Sequence, residues 1–156
     1  MAAQRSRRMP DSISDLTNAP NELEWKGKKY YPVELELDDI GEFVRWCKKM
    51  AVVEADLNSA GLTERLRQDM IAAVSRDINS GYYEPGASGF VVKMNSPGGQ
   101  AKILQLGMRA NHPDMGFDEC NKLVLEGMMG LVWTAGYQPF GGGGDHAGKA
   151  KGPEAD

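Results

Sequence analysis

The tetrapeptide Asn111-His112-Pro113-Asp114 constrains this chain more than any other stretch, because apolar helical patterns run up to it on one side and away from it on the other. Pro113 disfavours the helical region for His112, so the preceding helix is predicted to stop near Asn111. Gly116 then fits an N-cap, with Glu119 three residues later placed to reach the free backbone donors, and Met115 and Cys120 have the spacing of a hydrophobic staple. Phe117, Cys120, Val124 and Leu131 follow helical spacing, broadened by Leu123, Met128, Met129 and Val132. Gly136 followed by Pro139 reads as the stop. A long apolar helix from about 116 to 136 is the prediction. Gly127 and Gly130 inside it each cost about 1 kcal/mol relative to Ala, which points either to close approach by another backbone or to a weakened final turn.

Upstream of the corner the punctuation is equally regular. Leu62, Leu66, Met70, Val74 and Ile78 recur every four residues, with Thr63 as a cap and Gly81 as a terminator. Their other face carries Glu64, Arg65, Arg67, Asp69, Arg76 and Asp77, a solvated face by default. Before them, Ile40, Phe43, Val44, Cys47 and Ala51 form one stripe that Trp46, Met50, Val53 and Leu57 widen. Asp39 with Glu42 has capping-box spacing at the start of that helix. Ser96 and Pro97 fit the cap and first position of another helix, which carries Ala101, Leu104 and Met108 along one face and Ile103 and Leu106 beside it. Between Gly81 and Gly99 the regularity breaks. Phe90-Val91-Val92-Lys93-Met94 reads as a short β-like run inside a long connection, and the paired Tyr82 and Tyr83 make that connection a candidate contact surface.

The period changes to two between residues 23 and 37. Tyr31, Val33, Leu35 and Leu37 alternate with Pro32, Glu34 and Glu36, and Lys26-Gly27-Lys28 after Trp25 suggests a hairpin turn. Pro32 cannot donate to a ladder, which places it at an edge or a strand start. The fold class predicted is therefore mainly α with a small N-terminal β element: about four helices in a compact bundle spanning 21–138, with the hairpin at 23–37. Residues 1–20 carry Arg5, Arg7 and Arg8 without periodicity and read as a flexible basic arm, and 139–156 as a flexible Gly-rich tail.

Composition narrows function more by exclusion than by pointing. At 156 residues, 41% hydrophobic and 26% charged, the chain has room for one domain with an adequate core. A net charge of −4 argues against whole-surface affinity for nucleic acid. The most apolar window, Leu123 to Trp133, is too short to cross a bilayer, and no secretory signal is visible. Cys47 and Cys120 sit in apolar patterns and read as reduced core residues. The acidic group Glu34, Glu36, Asp38, Asp39 and Glu42 is better explained by a strand's polar face and helix capping than by a metal site. Gly143 to Lys149 has the spacing of a phosphate loop, but Ala150 stands where a hydroxyl is required and no strand leads in. With His112 and His146 as the only histidines, no triad, zinc set or cofactor fingerprint can be assembled, so an enzyme is not the expectation. His112 reads as a corner residue bonded to backbone.

Two pieces carry a family likeness. One is Trp25-Lys26-Gly27-Lys28-Lys29-Tyr30 running through Glu34-Leu35-Glu36-Leu37-Asp38-Asp39 into an amphipathic helix; the other is Met108-Arg109-Ala110-Asn111-His112-Pro113-Asp114-Met115 followed by Glu119 and the Leu123-Val124 helix. Over about residues 25 to 135 the chain resembles tail assembly chaperones of long-tailed bacteriophages. The resemblance implies a protein of the host cytoplasm that coats apolar helices of a tape-measure protein and assists the tail-tube protein, with homo-oligomers possible and neither membrane nor cofactor involved. It also implies a longer frameshifted product, for which codons of Gly141 to Gly144 are the place to look. Candidate partner-binding residues are Met108, Met115, Phe117, Met128, Met129 and Trp133, an adaptable methionine-rich face, with Tyr82 and Tyr83. Other readings of the same helices are a structural virion component between head and tail, and a small nucleic-acid adaptor using the N-terminal arginines.

Overall fold

Lys26 and Gly27 both take positive φ, 50° and 77°, the conformation of a two-residue hairpin turn whose twist matches the flanking strands. The computed structural model describes residues 22–130 and 138–140, and this turn joins β1 (Leu23–Trp25) to β2 (Lys28–Tyr30) with Leu23 opposite Tyr30 and Trp25 opposite Lys28. The sheet stops there, short of the predicted strand to Leu37. Residues 31–36 run extended over other elements instead: Val33 N–H bonds the Gly107 carbonyl and Leu35 N–H the Pro139 carbonyl, each at 2.8 Å. The alternation fails at its two ends. Pro32 is fully buried, and Leu37 is 86% exposed.

Helix α1 (Leu37–Asn58) is capped by Glu36, whose N–H donates to Asp39 Oδ2 at 3.2 Å. Asp39 is thus the third helical residue and not the cap that its spacing with Glu42 suggested. Phe43, Val44, Cys47, Ala51 and Ala55 are its buried stripe. The chain turns back into α2 (Glu64–Asn79), which begins after Thr63 as its sequence implies. It ends in a paired C-terminal lock: Gly81 N–H bonds Ile78 O at 3.4 Å and Tyr82 N–H bonds Asp77 O at 3.1 Å.

The predicted β-like run is helical. Helix α3 (Ser88–Asn95) buries Phe90 and Lys93, three positions apart, and leaves Val91 and Val92 exposed. A run of five residues, four of them apolar, has no length in which the two periods differ, and here burial of positions i and i+3 selects the helix. Ser96 then ends α3 and starts α4 (Pro97–Met108), accepting from Gly99 N–H at 3.1 Å and donating to the Lys93 carbonyl at 2.6 Å. The bend is so tight that a Cβ on Gly99 would overlap the Lys93 carbonyl oxygen.

Helix α4 is the centre of the molecule. Ala101, Ile103, Leu104, Leu106 and Met108 are all buried, on more than one face, as expected of a helix enclosed by neighbours. It packs most extensively on α5 (Phe117–Leu125). The long apolar helix predicted beyond the corner is broken: α5 stops at Leu125, Glu126 caps it, and Gly127 takes φ of 95° while its N–H bonds Val124 O at 3.0 Å. Only glycine occupies that region without a Cβ penalty. Residues 128–130 resume helical geometry, and the predicted course through Gly136 lies outside the described residues. There are thus five helices of eight residues or more among the described residues, where about four were predicted. Phe140, assigned by sequence to the start of the tail, packs with the core, 5.4 Å from the Phe90 ring and 6.2 Å from that of Phe43.

Candidate interaction surfaces

Helix lengths determine which apolar residues find cover. At 22 residues α1 is about 33 Å long, whereas α3 and α4 have only 8 and 12 residues. The first half of α1 packs on the short helices: the Trp46 ring lies where a side chain on Gly98 would meet it, and Phe43 stacks edge-on with Phe90 at 5.2 Å. Glu42 fastens it to α4, accepting from Lys102 Nζ at 2.8 Å and from Arg109 Nη2 at 2.8 and 2.9 Å. These cations, Lys102 first, hold the Glu42 carboxyl below the usual carboxylate range. Lys93 of α3 pairs with Glu54 farther along.

Farther along, α2 packs on α1 and is tied to it by Arg67 Nη2 and Asp56 Oδ1 at 2.6 Å. No residue of α2 is buried. The stripe Leu62, Leu66, Met70, Val74 and Ile78, which its period assigns to a core, contributes only half-buried side chains at Met70, Val74 and Ile78 and leaves Leu62 45% and Leu66 49% exposed. Leu57 on α1 is 68% exposed, with Val53 also exposed. The end of the two-helix projection therefore presents four large apolar residues to solvent. Periodicity correctly identified the apolar side of each helix. The signal that its cover would run out is the disparity in helix length.

The methionine-rich residues lie elsewhere. Met108, Met128 and Met129 are buried core, Tyr83 is buried, Met115 and Phe117 are half-buried against the same core, and Tyr82 is exposed. Tyr82 and Tyr83 meet edge to face at 5.1 Å, and Phe117 lies 6.4 Å from Trp46. Trp133 lies outside the described residues. The structure thus brings Met108, Met115, Phe117, Met128 and Met129 into one cluster, with its methionines packed mainly inward.

Among the described residues, no three His, Cys, Asp or Glu side chains are grouped to hold a metal, and no helix is long and apolar enough to cross a membrane. Both cysteines are buried and unpaired; desolvation pushes the Cys47 thiol up to about 12 and that of Cys120 up to about 11. No family model, curated protein or solved structure matches the chain.

Proposed function

We infer that the protein is a tail assembly chaperone of a long-tailed bacteriophage, which binds apolar helical segments of the tape-measure protein in the host cytoplasm and helps the tail-tube protein assemble around them. The observation that carries this reading is the exposed apolar end of the α1–α2 projection, where Val53, Leu57, Leu62 and Leu66 lack cover. The sequence resemblance through the Trp25 to Asp39 stretch and the Met108 to Met115 corner supplies the family.

The physics suits a temporary cover. A long helix with an apolar stripe aggregates unless that stripe is shielded, and a helix laid in a groove between two others is a common mode of recognition. Four exposed side chains offer less apolar area than a permanent interface buries, so each copy would bind weakly and give way when tube subunits arrive. Many copies along one tape-measure protein supply the coverage.

Co-expression with candidate tape-measure and tail-tube proteins, followed by co-purification and measurement of tape-measure solubility, tests this function. The expected result is a soluble complex with the tape-measure protein. Absence of any complex with either candidate, with the protein folded, rejects the reading.

A further inference from the structure

One apolar row on α1 keeps a strict spacing: Phe43, Trp46, Met50, Val53 and Leu57 follow one another at alternating steps of three and four residues, the repeat with which two helices pack along a common seam. A straight helix rotates such a row by about 20° every seven residues. That drift carries it out of the protein's own core. Phe43 is enclosed, Trp46 and Met50 are half-buried, Val53 is 38% exposed and Leu57 68%. The outer end of the row keeps the spacing of a helix–helix seam where no described element covers it.

The charges beside the row are self-complementary. Lys49 precedes Met50 and Asp56 precedes Leu57, so both flank the row on the same side. Lys49 is exposed and has no ion-pair partner among the described residues. The opposite flank is closed at Glu54, which Lys93 holds. A second copy turned end over end about a point midway between Met50 and Val53 sets Met50 against Val53 and Trp46 against Leu57, and brings Lys49 of each copy to Asp56 of the other. Such reciprocity is what a two-fold interface requires. Asp56 then accepts from Lys49 of the second copy as well as from Arg67 of its own chain, within the capacity of a carboxylate. A parallel pairing would set Lys49 against the occupied Glu54.

We propose that the outer half of α1 binds a second copy of this chain in antiparallel register, as a weak two-fold dimer. From Trp46 to Leu57 the contact runs about 17 Å along the helix, too short for a permanent interface, so monomer and dimer exchange. Val53 and Leu57 are also side chains that the proposed function gives to a tape-measure helix. Self-association and client binding therefore exclude each other, and the dimer keeps the apolar face covered until a client arrives. The dimer itself does not depend on the chaperone reading, because it forms from this chain alone.

Sedimentation equilibrium of the full chain from about 10 to about 500 μM tests it, a range in which mass action reveals weak association. The average mass is expected to climb from that of one chain towards that of two, and L57E is expected to stay monomeric. K49E and D56K should each weaken the dimer by about tenfold, the effect of making two exposed attractive pairs repulsive. An equimolar mixture of K49E and D56K should associate more tightly than either alone, because both cross-contacts of the mixed pair again join opposite charges. Melting curves of each variant confirm that the fold is kept. A monomer over the whole range, as cover by residues 1–21 or a need for a different partner would give, overturns the proposal, and so does an unimpaired D56K or a mixture no tighter than its components. None of these results bears on co-purification with a tape-measure protein, so the two readings fail separately.

Discussion

His112 Nε2 accepts a hydrogen bond from the backbone N–H of Tyr31 at 3.0 Å, across 81 positions of chain. Its neighbour Asn111 donates Nδ2 to the carbonyl of the same Tyr31 at 2.8 Å. The corner between α4 and α5 thus satisfies both backbone groups of one residue in the extended segment. The imidazole also stacks on the Tyr31 ring at 6.0 Å and lies 5.7 Å from that of Tyr30. A residue whose chemistry first suggests catalysis here fastens the hairpin to the helical body.

Replacing His112 by Ala leaves a part-buried N–H without its acceptor, and the expected loss is about 1–3 kcal/mol of stability. H112Q keeps an acceptor and should recover part of it. N111A, which removes an exposed bond, should cost only about 0.5–1.5 kcal/mol. Chemical denaturation checks the order H112A, then N111A. A wild-type midpoint for H112A means the clamp is not holding the hairpin.

Much of this corner is legible in sequence because its signals are local. Gly116 begins a helix where its sequence implies, and Ser96-Pro97 and Gly81 mark termini by chemistry confined to a few residues; α4 itself stops at Met108, three residues before the end near Asn111 that Pro113 predicted. What is not legible is anything that depends on a distant neighbour. The partner of His112 lies 81 positions away, and nothing near Phe140 announces that it packs against Phe43 and Phe90. The stripe from Leu62 to Ile78 shows the same limit from the other side: spacing identifies the apolar face, but the cover comes from elsewhere in the chain. Met108, Met128 and Met129 are the complement, residues suited to an adaptable surface that the fold uses inside.

Gly99 is expected to tolerate nothing larger. A methyl group there would overlap the Lys93 carbonyl, which already accepts from Ser96 Oγ, so G99A must open the α3–α4 bend. Overpacking of this kind costs about 1–3 kcal/mol. G130A, at a helical position with open space around the missing Cβ, is the control in thermal denaturation. Equal stability of the two variants contradicts the close approach.

The Glu42 ion pairs make stability depend on acid. Lys102 and Arg109 lower the folded-state pKa of Glu42 below its ordinary 4.5, the value it regains on unfolding. Its contribution is therefore complete above about 4.5 and disappears as pH falls through the folded value. E42Q should lower stability at pH 7, where it leaves the mostly buried Lys102 without a carboxylate. It should also lose less than wild type between pH 5 and 3. Parallel pH profiles for the two proteins count against these pairs.

Cys47 and Cys120 should be inert in the folded protein. Only a thiolate reacts with a disulfide reagent, and with thiols pushed up to about 12 and about 11 and no access to solvent, neither forms one near pH 8. A chromogenic disulfide reagent is expected to count no thiols in native buffer and two in denaturant. Rapid native labelling of either residue contradicts its burial.

The exposed face of α1–α2 separates binding from folding, which allows the proposed function to be tested by substitution. Leu57 and Leu66 are 68% and 49% exposed, so L57E/L66E removes little native packing, and surface changes of this kind alter stability by about 0.5 kcal/mol or less each. Leu104 is fully enclosed, and L104A should cost about 2–5 kcal/mol. If the projection shields an apolar helix, L57E/L66E keeps the wild-type melting curve but no longer co-purifies with or solubilises the tape-measure protein. M128A and M129A, which alter buried side chains, should reduce binding only as far as they reduce stability. A folded L57E/L66E variant that still solubilises its partner excludes this face as the binding surface.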